Sequence, residues 1–148
     1  MRLVIQRVSR AGLSVGGEVV SEIGPGMVVL VGVGHGDTPG DIEFLSRKVA
    51  QLRIFNDEEG KMNASIESVN GSFLVVSQFT LYGDCRKGNR PGYSDAARPE
   101  EAVEKYEAFA TSLREKGFTV KTGVFQAEMK VELVNDGPVT LILESAGR

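Results

Sequence analysis

The chain has no tryptophan, and only one cysteine and one histidine among its 148 residues. A lone cysteine, Cys85, closes no disulfide within the chain and builds no cysteine-based zinc site. A lone histidine, His35, is too little for a Cys/His metal cluster, and any Ser-His-Asp triad would have to be built around it. No segment approaches the ~18 consecutive apolar residues of a membrane span. The opening MRLVIQRVSR is apolar for only three residues in a row, too few for the apolar core of a secretory leader. No C-terminal lipidation signal is present. These absences set the expectation of a cytoplasmic protein with no membrane partner, no metal and no cofactor. Excess basic charge is missing too. Lys and Arg total 17 against 20 Asp and Glu, for a net charge of −3. That balance argues against a dedicated non-specific nucleic-acid binder and leaves room for a local basic patch.

What is present suits one folded domain over residues 1–148, with the last few residues as a tail. Hydrophobic residues make up 41% and charged residues 25%, an ordinary globular balance. The 18 glycines are spread along the chain and point to tight turns between short strands. Residues 2–8 read as a strand, and Gly16-Gly17 as the turn of a following strand pair. The run MVVLVGV (27–33) reads as a strand buried on both faces. Residues 38–52 read as a helix. Thr38 is its cap, Pro39 and Asp41 suit its first turn, and Ile42, Leu45, Val49 and Leu52 form its stripe. Residues 53–64 begin as a short strand and end in a polar turn, and 72–82 form the most strand-like segment. A second helix starts at Pro99, carries Val103, Tyr106, Phe109, Ala110 and Leu113, and closes at Gly117. Strands are expected at 118–124, 128–134 and 139–144. The whole predicts an α+β domain, mainly an antiparallel sheet or barrel with two helices.

Few segments invite chemistry. Gly32-Val-Gly34-His-Gly36 follows a strand and precedes a helix, but its spacing is not that of a phosphate loop, and a strand-to-helix turn is the better reading. Cys85 sits beside Arg86 and Lys87, which would favour a thiolate, but a positioned base for it is not evident. Arg86, Lys87 and Arg90, with Tyr93 beyond, lie in a long polar loop (83–98) and suit either phosphate contact or plain solvation. Ser77-Gln78-Phe79-Thr80 places two hydroxyls and an amide at the end of an apolar strand. Strand alternation would put Ser77 and Phe79 on one side and Gln78 and Thr80 on the other. Polar groups on a rigid strand suit a site, and cross-strand pairing on an exposed face is the plainer account. Asn135-Asp136-Gly137-Pro138 is composed of turn residues and reads as a hairpin turn.

With SQFTLYGD (77–84), KGNRPGYSDAA (87–97) and NDGPVT (135–140), the chain closely resembles the D-aminoacyl-tRNA deacylases. The likeness runs from MRLVIQRVSRA through IGPGMVVLVGV and LRIFNDEEGKMN to about residue 144. It implies a homodimer of barrel-like α+β subunits with active sites at the subunit interface. The implied reaction is hydrolysis of the ester joining a D-amino acid to the terminal adenosine of tRNA. Glycyl-tRNA, including glycine mischarged on alanine tRNA, would be cleaved as well.

The resemblance assigns roles residue by residue. Gly137 and Pro138, joined by a cis bond, would enter the partner's pocket, hold the α-ammonium with backbone carbonyls and leave no room for an L side chain. Thr80 matches the threonine discussed as catalytic, but without a nearby base a positioning role beside Ser77 and Gln78 suits it better. The N–H of Phe79 would face the developing oxyanion. Phe125 and Met129 would lie near the terminal adenine, and Lys87 and Arg90 near tRNA phosphates. The sequence departs from the family's usual pattern in the loop YGDCRKGNRPGYSD and at Gln126, where glycine is common. Two other classes compete with an editing esterase: a non-catalytic nucleic-acid-binding module on the same scaffold, and a thiol hydrolase using Cys85.

Overall fold

A computed structural model describes residues 1–146. Its centre is one long strand, β1 (Arg2–Val15). On one side, β1 pairs antiparallel with β2 (Glu18–Ile23) through its second half and with β3 (Gly26–Gly32) through its first half. On its other side it pairs along its whole length with the last strand, β8 (Met129–Glu144), from Arg2 against Glu144 to Val15 against Met129. The sheet continues from β3 to β6 (Ser72–Ser77) and β7 (Val120–Thr122). Between them β4 (Phe55–Asn56) and β5 (Met62–Ala64) make a small separate hairpin. The Ser21 hydroxyl of β2 donates to the Thr122 carbonyl of β7 at 2.6 Å, so the two ends of the path meet and the sheet is nearly a closed barrel.

Two helices cover one face. In α1 (Pro39–Gln51) Thr38 and Asp41 form a reciprocal capping box, and Ile42, Leu45 and Val49 are buried. In α2 (Pro99–Glu115) Tyr106, Phe109, Ala110 and Leu113 are buried, and Gly117 follows with positive φ. The Ser46 and Ser112 hydroxyls hydrogen-bond between the helices at 2.8 Å. The sheet has apolar residues on both faces. Met27, Val29, Val31, Phe73 and Val75 join the helices in the main core. Val28, Leu74 and Val76 point the other way and pack with Val8, Leu13 and Ile23 inside the barrel. The unbroken apolar runs of β3 and β6 follow from this double burial.

The α+β expectation, the mainly antiparallel sheet and both helices hold, with β3–β6 and β6–β7 paired in parallel. Two local expectations need correction. The strand expected over 72–82 stops at Ser77, and Phe79–Tyr82 form a 3-10 turn. The alternation assumed across Ser77, Gln78, Phe79 and Thr80 therefore fails. NDGPVT is no hairpin turn either: β8 runs through it as a large bulge. Gln6 faces Thr140 and Val8 faces Asn135, so residues 136–139 stand opposite Arg7 alone. At the C-terminus, Ser145 is buried and bonded to Met1, while residues 147 and 148 of the expected tail lie outside the described residues.

Candidate functional site

The end of β6 opens onto a cleft of about 630 Å³. Ser77, Gln78 and Phe79 line it together with Phe125, Met129 and Val131. Ala96, Ala97 and Ala102 line it with small side chains, which leaves the space open. The position of the polar strand end is fixed by two bonds. Gln78 N–H donates to the Val31 carbonyl of β3 at 2.8 Å, and the buried Tyr106 hydroxyl donates to the Val75 carbonyl at 2.7 Å. Burial pushes the Tyr106 phenol up to about 12, so it stays a neutral donor. The same ring stacks at 6.2 Å on Phe125, which also lines the cleft. Phe79 is exposed and meets Tyr93 edge-on at 5.0 Å, closing the mouth on the loop side.

Thr80 is exposed beside the cleft rather than among its lining residues, and the Gln78 side-chain amide donates to its hydroxyl. Phe79 and Thr80 open the 3-10 turn, the position whose backbone N–H groups have no acceptor within the turn itself. The site thus joins Ser77, Gln78, Phe79, Phe125 and Met129 directly, with Thr80 attached through Gln78.

Gly137 and Pro138 do not line this cleft. They sit exposed on the β8 bulge, joined by a cis peptide bond. The neck of the bulge is tied by Asn135: its side chain accepts from Val139 N–H and donates to the Thr140 hydroxyl, both at 3.1 Å. Its base rests on Arg7, a residue with no sequence signal beyond being a charge inside a strand. The Arg7 guanidinium is buried, donating to the Asp136 carbonyl at 2.9 Å and to the Ile54 carbonyl at 2.7 Å. A Cβ on residue 137 would stand 2.7 Å from Arg7 Nη2, and φ there is +127°, so both space and backbone demand glycine.

Lys87 and Arg90 lie in a separate surface depression with Asp84 and Arg86. Arg86 is bound bidentately by Asp84, at 2.9 and 2.7 Å, and holds that carboxyl down at about 2. Lys87 and Arg90 make no ion pair with a described residue and, like Arg98 at the loop's end, are available cations. Cys85 is exposed outside the cleft, in a separate surface depression that His35 and Asp37 also line. Gly32 and Gly34 serve packing, since added Cβ atoms there would meet Tyr82 at about 3 Å, while Gly36 has open space and a φ of +78°. No group of three His, Cys, Asp or Glu side chains among the described residues is placed to hold a metal. No helix there is long and apolar enough to cross a membrane.

The family model described as D-Tyr-tRNA(Tyr) deacylase matches residues 4–144. The chain belongs to the D-Tyr-tRNA(Tyr) deacylase family. Relatives in this family are named as enzymes. The chain is 59% identical over 145 residues to a D-aminoacyl-tRNA deacylase of Desulforamulus reducens, covering 98% of this chain and 97% of that one. It is 58% identical over 146 residues to the Thermus aquaticus protein of the same name, covering 99% and 96%. Among solved structures, the c-Myc DNA Unwinding Element Binding Protein superposes with a TM-score of 0.92 at 43% identity, over 97% of this chain and 98% of that one. A probable eukaryotic D-amino acid tRNA deacylase shares the fold, with a TM-score of 0.79 at 17% identity, covering 96% and 97%.

Proposed function

We propose that this protein hydrolyses the ester of D-aminoacyl-tRNA, releasing the D-amino acid and free tRNA. The observation that carries this reading is the intact Ser77-Gln78-Phe79-Thr80 strand end, opening on a cleft, in a chain 59% identical to an enzyme of that name. In this reading Ser77, Gln78 and Thr80 position the ester and the Phe79 N–H faces the developing oxyanion. Among the described residues the Thr80 hydroxyl is bonded by the Gln78 amide, which is no base, so in this reading water attacks, assisted by the neighbouring 2′-hydroxyl of the tRNA. The terminal adenine lies against Phe125 and Met129. Lys87 and Arg90 meet acceptor-stem phosphates.

The enantiomer filter is supplied by a second copy of the chain. Gly137 and Pro138 are exposed on a bulge that Arg7 and Asn135 hold rigidly, away from the cleft of their own subunit. The outer side of β8 also leaves Val134 and Ile142 exposed, at 41% and 65%. Homodimerisation would cover such residues and deliver the Gly-Pro carbonyls into the partner's cleft. A filter made of backbone atoms excludes an L side chain without reading which D side chain is present. Glycine, with no side chain, would pass it, so glycyl-tRNA mischarged on alanine tRNA is a second substrate. The setting is cytoplasmic translation quality control.

The test is release of amino acid from D-tyrosyl-tRNA and L-tyrosyl-tRNA in parallel, over several decades of enzyme concentration. Rapid cleavage of the D-ester with the L-ester spared is expected. Cleavage of neither would refute the reading and favour a nucleic-acid-binding role, such as the 43% identical relative carries in its name.

A further inference from the structure

Two non-glycine residues among those described have positive φ, Asn70 at 51° and Gln126 at 64°. Asn70 ends a 3-10 turn, where a left-handed asparagine is an ordinary solution. Gln126 is not ordinary. Ala127 N–H donates to the Val124 carbonyl at 3.2 Å, which makes Gln126 the third residue of a tight turn. With positive φ, that position belongs to glycine or asparagine. A longer side chain held there stores backbone strain, and strain of this kind clusters where a side chain has work to do.

What the strained residue presents is specific. Gln126 is exposed and lines the cleft between Phe125 and Ala127, with Met129 and Val131 among the other lining residues. Its carboxamide makes no hydrogen bond to a described residue. A donor and an acceptor therefore stand side by side at the edge of an aromatic and thioether surface. That surface suits the face of a planar heterocycle, and the amide suits its edge. Of the purines, adenine offers a matching pair, the N6 amino donor beside the N7 acceptor. Guanine offers two acceptors there and calls for two donors.

We propose that Gln126 reads the 3′-terminal adenine of the tRNA, its carboxamide oxygen accepting from N6 and its NH2 donating to N7. This rests on the substrate proposed above and adds a base-specific contact to it. Binding energy is then spent on the end common to all tRNAs, which leaves the filter for the amino acid undisturbed.

The test uses D-tyrosyl-tRNA ending in adenosine or in 7-deazaadenosine, where N7 is replaced by C–H. The parent protein should lose about tenfold in kcat/KM on the 7-deaza substrate, the size of one good bidentate base contact. Gln126→Gly should lose about tenfold on the ordinary substrate and show no further loss on the analogue. Gln126→Glu, which keeps the length but cannot donate to N7, should behave in the same way. Gln126→Gly should melt no lower than the parent, because glycine is at ease at this φ, and this separates lost recognition from lost folding. Equal cleavage of both substrates by an active parent would overturn the pairing and leave the activity standing. So would full sensitivity to the analogue in Gln126→Gly. A parent that cleaves no D-tyrosyl-tRNA at all would overturn the activity and the pairing together.

Discussion

Replacing Arg7 by methionine tests what holds the Gly137-Pro138 bulge. Arg7 is 8% exposed, and its guanidinium donates to two backbone carbonyls, Asp136 and Ile54. A hydrogen bond from a charged donor contributes roughly 1.5–3 kcal/mol, so the pair amounts to about 3–6 kcal/mol. The Asp136 carboxylate adds little, since it lies 3.8 Å away and is 59% exposed. Methionine keeps much of the volume and removes the cost of burying a charge, which offsets part of the loss. The net expectation is a destabilisation of about 2–4 kcal/mol. Urea denaturation would report it as a lower midpoint at unchanged slope. Discrimination between D- and L-tyrosyl-tRNA should weaken in parallel, because the bulge loses its support from beneath. Arg7→Lys should recover little: one ammonium cannot fork to two carbonyls as a guanidinium does. A change below about 1 kcal/mol together with an unchanged D-to-L ratio would refute the reasoning.

Four further outcomes follow from the geometry. Thr80→Ala should lower kcat/KM by about 10–100-fold, the value of one lost positioning hydrogen bond, as read by single-turnover deacylation; a loss of roughly ten-thousandfold or more would instead mark Thr80 as the nucleophile. Tyr106→Phe should destabilise by about 0.5–1.5 kcal/mol, because the Val75 carbonyl loses its hydroxyl donor and keeps the bond from Gly123 N–H at 3.3 Å; thermal or urea unfolding measures this. In the parent, the Tyr106 phenol is raised from 10.0 to about 12, so it favours the folded state below pH 10 and loses that contribution as pH rises towards 12, visible by phenolate absorbance against unfolding. Asp84, lowered from 3.8 to about 2 by its bonds from Arg86, should hold the 84–92 loop ordered above pH 3.8 and release it as pH falls through 2, which carboxyl chemical shifts would follow.

Much of the scaffold was legible in local patterns. Thr38 and Asp41 announced the start of α1, the stripes of α1 and α2 gave most of their buried faces, and the apolar run of β3 gave its double burial. Gly16-Gly17 marked its turn, with both residues at positive φ. What stayed hidden depends on distant partners. Parallel pairing of β3 with β6 has no local signature, because strand residues look alike whichever way their neighbour runs. Phe79, Thr80, Leu81 and Tyr82 are good strand formers, and the turn bonds Leu81 to Gln78 and Gly83 to Thr80 override that preference. The β8 bulge has the composition of a turn, because turn residues serve either purpose; continued pairing with β1 on both sides decides between them. Ser77, Gln78, Phe79, Phe125 and Met129 were named from the sequence and do share one cleft. Arg7 and Tyr106 were not named as parts of the site, since their contributions are hydrogen bonds to backbone of remote segments.

The pairing of β1 with β8 has a consequence for biosynthesis. Residue 3 must find residue 143, and residue 13 must find residue 131. Contacts this far apart along the chain carry a large loop-closure entropy and slow folding. On the ribosome, β1 emerges first and waits with one side unpaired until the last strand has cleared the exit tunnel. During that interval, β1 is a fourteen-residue template for any extended segment nearby. Early pairing with β2 and β3 blocks one side of it. Chaperone cover, or rapid completion of synthesis, would have to protect the other.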